Sequence, residues 1–227
     1  ESRLDLVHKN IEIFRQIMGE IAARDVEGIL LIVSNPVDIL TYAAWKFSGL
    51  PRHRVIGSGT VLDTARLKCM LGGELGVDAR SVHAFIIGEH GDSELAVFSS
   101  ANVSGIDLRD FYDMCQPDEY QNDTERIYDQ VKDSAYKIIE SKKATYFGVA
   151  MAVCRICECI MRNEHSILTV SGVVEGQYGA SDMALSLPCI VGAGGLEQII
   201  QIELDEKEDE QLEESIRVLS QVLDECM

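Results

Sequence analysis

His90 sits in Gly88-Glu89-His90-Gly91-Asp92, directly after the apolar run Phe85-Ile86-Ile87. Upstream, Leu62-Asp63-Thr64-Ala65-Arg66 places a carboxylate and a guanidinium three residues apart. Imidazole titrates near neutrality, so a histidine fixed at a strand end beside a carboxylate can accept or return a proton. Guanidinium matches a carboxylate in two parallel hydrogen bonds, which suits Arg66 to gripping an acidic substrate. Helical spacing puts Asp63 and Arg66 on one face, with the aspartate free to reach back to the imidazole. Together the three groups suit redox chemistry on a small hydroxy acid. Singly, each has a plainer reading: a surface turn for the histidine and a solvated helix contact for the Asp-x-x-Arg pair.

The elements that must hold these groups read as α/β. Val7, Ile11, Phe14, Met18 and Ile21 recur at helical spacing. Gly28 to Val33 is a continuous apolar run, as expected of a strand buried on both faces of a parallel sheet. Asn35, Pro36 and Asp38 then read as a helix start with a capping side chain, a proline at the first helical position and an acid in the first turn. That helix runs on through Trp45, and Val55-Ile56 forms the next strand, giving half of a doubly wound unit. Beyond Gly59 the pattern is mixed. Ile127, Val131, Ala135 and Ile138 line one helix, and a second is expected from about Tyr146 to Met161. Ile167 to Val174 and Met183 to Val191 read as strands, with Gly176 and Gly179 between them. Leu212, Ile216, Leu219 and Leu223 form the stripe of a last helix, and the acidic run Glu203 to Glu210 before it reads as a solvated turn.

A chain of 227 residues that is 46% hydrophobic can build a substantial core. A net charge of −18 argues against a nucleic-acid or anionic-membrane surface, which needs clustered Lys and Arg. No apolar stretch reaches the roughly 18 residues of a membrane span. Seven cysteines, an odd number in a chain of this size, fit reduced thiols in the cytoplasm. Cys154, Cys157 and Cys159 raise a metal-site reading, but they fall in a helical pattern without a second ligand pair, so core cysteines are expected and no metal.

Read as one string, Ser34-Asn35-Pro36-Val37-Asp38, Gly57-Ser58-Gly59, Leu62-Asp63-Thr64-Ala65-Arg66 and Gly88-Glu89-His90-Gly91-Asp92-Ser93 resemble the successive signatures of the NAD-dependent L-lactate dehydrogenase family. The likeness covers essentially the whole chain. It implies the C-terminal part of a doubly wound Rossmann domain in residues 1–58, followed by a mixed α+β substrate domain in residues 59–227. No Gly-x-Gly-x-x-Gly segment lies between a strand and a helix, and Glu1-Ser2-Arg3-Leu4 resembles the end of the family's mobile active-site loop. The sequence therefore reads as the later part of a longer enzyme with NAD as its cofactor; the activity is expected of the intact enzyme, and residues 1–227 alone are expected to be inactive and to bind NAD weakly or not at all.

Carried over residue by residue, the resemblance makes His90 the acid-base catalyst and Asp63 its orienting acid. It makes Arg66 the clamp on the substrate carboxylate and Arg3 the loop arginine that polarises the reacting carbonyl. Asn35 matches a side chain that contacts both substrate and cofactor. Val33, Ser34 and Ser58 fall on the cofactor side, and Thr145 matches a pocket-wall threonine or caps the following helix. Lys68 and His83 stand at the spacings of a fructose 1,6-bisphosphate site in bacterial relatives, with lysine replacing the usual arginine. A homotetramer in the cytoplasm is implied, with a small 2-oxo or 2-hydroxy acid as substrate. Glu89 and the Ala144-Thr145-Tyr146 segment favour lactate over malate. The alternatives are a malate or other L-2-hydroxy acid dehydrogenase and, in a different class, a non-catalytic metal-binding or scaffold protein.

Overall fold

The computed structural model describes residues 3–24, 26–116, 119–142 and 146–227, without the side chains of residues 3, 5 and 135–142. The amphipathic N-terminal segment forms α1 (Arg3–Ala22), burying Val7, Ile11 and Met18. The first apolar run gives β1 (Leu30–Ile32), followed by α2 (Val37–Ser48) and β2 (Val55–Gly57). β1 and β2 pair in parallel, Leu30 against Val55 and Ile32 against Gly57. Such a pairing needs a crossover, and α2 supplies it. Gly57 is required by the fit, since a Cβ there would meet Thr41 Oγ1 at 2.3 Å and Ser171 Cβ at 2.9 Å.

The rest of the chain forms α3 (Val61–Leu75), β3 (Val82–Ile87), β4 (Leu95–Val103), β5 (Ile106–Asp107), α4 (Leu108–Cys115), α5 (Tyr120–Lys142) and α6 (Phe147–Arg162). Then come β6 (Ser166–Leu168), β7 (Ser171–Glu175), β8 (Ser181–Ser186), β9 (Cys189–Gly192), β10 (Gly195–Ile199) and α7 (Glu206–Cys226). The strands make three sheets, ordered β1-β2-β7-β8, β10-β9-β6 and β3-β4-β5. The first sheet continues the parallel β1–β2 pair with strands from the second half of the chain, through the antiparallel pairing of Gly57 with Ser171. A large apolar core lies around α2 and this sheet, and a second packs α3, α4 and α5 against β3 and β4. Among the described residues no helix is long and apolar enough to cross a membrane.

Five local expectations are corrected. The run Ile167 to Val174 is two strands in different sheets, because the Thr169 carbonyl is taken by the Thr60 amide at the start of α3. Met183 to Val191 divides likewise at Leu187-Pro188, where proline has no N–H to give a ladder. Asn35 does not cap α2: Pro36 holds the cap position without a side-chain bond, and Asp38 directs its carboxylate elsewhere. The acidic run is not a solvated turn, since Asp205 and Glu208 form a capping box. Glu208 is also buried and accepts the Phe98 and Ser99 amides at 2.8 and 2.9 Å. Of the three clustered cysteines only Cys159 is core; Cys154 and Cys157 lie on the exposed face of α6.

Candidate active site

The loop after β3 is held by three successive amides, each bonded to a different element. Gly88 exchanges hydrogen bonds with Ser186 of β8 at 2.9 and 3.1 Å. The Glu89 N–H donates to Ser215 Oγ of α7 at 2.7 Å. The His90 N–H donates to Asp38 Oδ2 of α2 at 2.8 Å. Gly88 allows the turn with φ of 94°, and a side chain there would strike Ser215. His90 thus stands on a fixed backbone, where catalytic side chains are most precise.

Asp38 is the buried hub of that arrangement. Its other oxygen accepts Ser171 Oγ at 2.6 Å and Ser186 Oγ at 2.9 Å. Burial raises its pKa, and the bonds from Ser171 and the His90 amide only partly oppose the rise. Sequence reading gave Asp38 to the helix dipole; nothing local distinguishes a first-turn acid facing water from one turned inward.

α3 docks by its first turn. Thr60 Oγ1 donates to the Ile86 carbonyl at 2.6 Å, and Thr64 Oγ1 accepts the Ile86 amide at 2.9 Å. These bonds turn Asp63, only 3% exposed, toward the loop. Asp63 Oδ2 lies 2.8 Å from His90 Nδ1, and its Oδ1 accepts Arg66 Nη1 at 3.1 Å. Arg66 and His90 keep a little solvent-facing surface, 17% and 28% of the side chain. With Nδ1 against Asp63, Nε2 is the ring atom left for a ligand. Burial opposes the imidazolium, but the hydrogen bond and charge of Asp63, then the charges of Asp38 and Glu94, outweigh it and raise the His90 pKa to about 9. The arrangement can deliver one proton beside a cation that binds carboxylate.

Val33, Ser34 and Asn35 follow β1 and are exposed. The Ser58 amide donates to the Ile32 carbonyl at 2.8 Å, joining the two strand ends. Carboxyl ends of parallel strands are where doubly wound folds hold ligands. The exposed side chain of Val33 fits an aromatic ring there, so the residues present suit the nicotinamide end of a dinucleotide. The phosphate-binding glycine loop is not in this sequence.

Lys68 and His83 line a different cavity of about 690 Å³, together with Arg80, Arg155 and His165. Burial lowers the Lys68 pKa. The Arg3 side chain and Thr145 lie outside the described residues. Asp63, His90 and Glu94 are the one described trio close enough to hold a metal ion. Asp63 is already spent on Arg66 and His90, so the set does not fit one.

Residues 1–57 match the lactate/malate dehydrogenase NAD binding domain, and residues 60–227 match the lactate/malate dehydrogenase alpha/beta C-terminal domain. The chain belongs to the lactate/malate dehydrogenase family. It is 51% identical over 223 residues to an L-lactate dehydrogenase of Acetivibrio thermocellus, covering 98% of this chain and 70% of that protein. Identity to the L-lactate dehydrogenase of Bacillus licheniformis is 50% over 224 residues, with the same coverage. The crystal structure of the minor L-lactate dehydrogenase of Enterococcus mundtii in its ligand-bound form superposes with a TM-score of 0.95 at 43% identity, covering 100% of this chain and 72% of that one.

Proposed function

We propose that this dehydrogenase interconverts pyruvate and (S)-lactate with NADH and NAD, and that the contact of Asp63 with both His90 and Arg66 carries the chemistry. His90 protonates the carbonyl oxygen through Nε2 during reduction and removes the hydroxyl proton in the reverse direction. Asp63 fixes the ring and favours its charged form. Arg66 pairs with the substrate carboxylate and orients the carbonyl toward His90. Arg3 completes the site by closing over the carbonyl, and Asn35 contacts the substrate from the β1 end, with Thr145 on the pocket wall. Val33, Ser34, Asn35 and Ser58 hold the nicotinamide, which when bound supplies the hydride. In this reading residues 1–58 form the cofactor side and 59–227 the substrate side.

Steady-state rates with pyruvate and oxaloacetate test the reading. The expected result is the larger kcat/KM for pyruvate; a larger value for oxaloacetate reassigns the protein as a malate enzyme.

The cavity of Lys68 and His83 suits a sugar bisphosphate, and we assign it to fructose 1,6-bisphosphate as an activator. Phe147, Met151 and Met161 leave an apolar strip on α6 that is 70 to 83% exposed, which supports assembly into a homotetramer. Seven free cysteines support a reducing, cytoplasmic setting.

A further inference from the structure

Resting on His90 as the proton donor, we propose that Glu94 is a positioning residue of the proton transfer: acting through the Asp63–His90 pair, its buried carboxyl sets the pH up to which the imidazole keeps its proton. One oxygen of Glu94, one of Asp63 and one ring nitrogen of His90 lie within 4.8 Å of one another. Glu94 is 5% exposed. Its backbone is pinned on both sides. The Glu94 amide closes a turn to the Gly91 carbonyl at 3.2 Å, its own carbonyl accepts the Tyr128 hydroxyl, and Leu95 pairs with Ile87 in the sheet. The Tyr128 hydroxyl goes to the Glu94 carbonyl and leaves the carboxyl to face Asp63 and His90.

Two carboxylates this close, out of water, repel one another, and one of them keeps its proton. Burial first, and then the charge of Asp63, raise the Glu94 pKa to about 8, against the pull of His90, Lys132 and Arg66. At neutral pH Asp63 is therefore the partner of His90, with Glu94 neutral behind it. As pH rises through about 8, Glu94 becomes a second negative charge that favours the imidazolium, so loss of one proton delays loss of the other. The groups facing Glu94 come from several elements. Asp63 and Arg66 reach it from α3 and Lys132 and Tyr128 from α5, while Asp38 lies beyond the imidazole on α2. Glu89 and Asp92 of its own loop, and Lys207, Glu210 and Glu214 of α7, line the opening on its outer side. The positive charges of His90, Lys132 and Arg66 favour ionisation of Glu94 against its burial.

The test compares pH profiles of kcat/KM for pyruvate in the full-chain enzyme and its Glu94→Gln variant. The amide keeps the shape and removes the charge, and the expected result is an alkaline limb lower by about one pH unit or more, one unit being the lower end for two charges at this separation. Glu94→Asp, which restores the charge, moves the limb back toward the wild-type position. A uniform loss of activity with the limb unmoved overturns the proposal, because that is what a structural role gives. Infrared spectra supply a readout independent of turnover. A protonated-carboxyl band that the wild-type protein loses as pH rises through about 8, and that is missing from Glu94→Gln, supports the proposal; the absence of such a band in the wild type, or its persistence in the variant, overturns it. A wild-type enzyme that fails to reduce pyruvate counts against the proposed function, while the infrared titration still judges Glu94.

Discussion

α3 carries charge in two directions, and the two sets are treated differently. Asp63 and Arg66 are held against each other and against His90, so every charge there has a partner before any ligand arrives. Lys68, two residues beyond Arg66, lines an open cavity with His83, and among the described residues neither forms an ion pair. Their neighbours Arg80, Arg155 and His165 are each matched with an acid: Asp78, Glu164 and Glu197. Paired charges cost no reorganisation when chemistry begins, which suits a catalytic centre. A lysine without an ion pair among the described residues, in a protein of net charge −18, suits an anion that comes and goes.

Replacing His90 breaks the comparison most severely. His90→Asn should lower kcat for pyruvate reduction by roughly 10² to 10⁴, the usual contribution of a positioned acid, with NADH affinity nearly unchanged in a fluorescence titration. Arg66→Lys keeps the charge but loses the planar fork. It should lower kcat/KM by about 10² or more, mostly through KM, in steady-state kinetics with pyruvate. On the other side of α3, Lys68→Ala removes one phosphate contact. The bisphosphate concentration for half-activation should rise about tenfold, the lower end for a charge-assisted hydrogen bond. A pyruvate saturation curve of the wild-type enzyme unmoved by bisphosphate would remove the regulatory half of the comparison.

The meeting of Asp63, Arg66 and His90 was legible because its parts are local patterns. Asp63 and Arg66 meet through helical spacing, and His90 follows an apolar strand into a glycine turn. Asp38 and Glu94 were not legible, since each is an acid whose importance lies in which way it turns. Asp38 is claimed by Ser171 and Ser186, more than a hundred residues away, and by the His90 amide. The same holds for the fold. α1, α2, α5, α6 and α7 follow from apolar stripes, whereas the breaks at Thr169 and Pro188 depend on which sheet each flanking segment joins. Periodicity reports a strand; it does not report its partner.

The central claim is that Asp63 holds His90 as the proton carrier, and the pH dependence of the two directions tests it most directly. The folded-state pKa of His90 is raised from 6.5 to about 9, so the imidazolium is present below that value and is lost as pH rises through it. For the wild-type enzyme, kcat/KM for pyruvate should fall through about pH 9, while kcat/KM for lactate rises over the same interval. Profiles flat across that range, or an Asp63→Asn variant whose limbs stay where they were, would contradict the account.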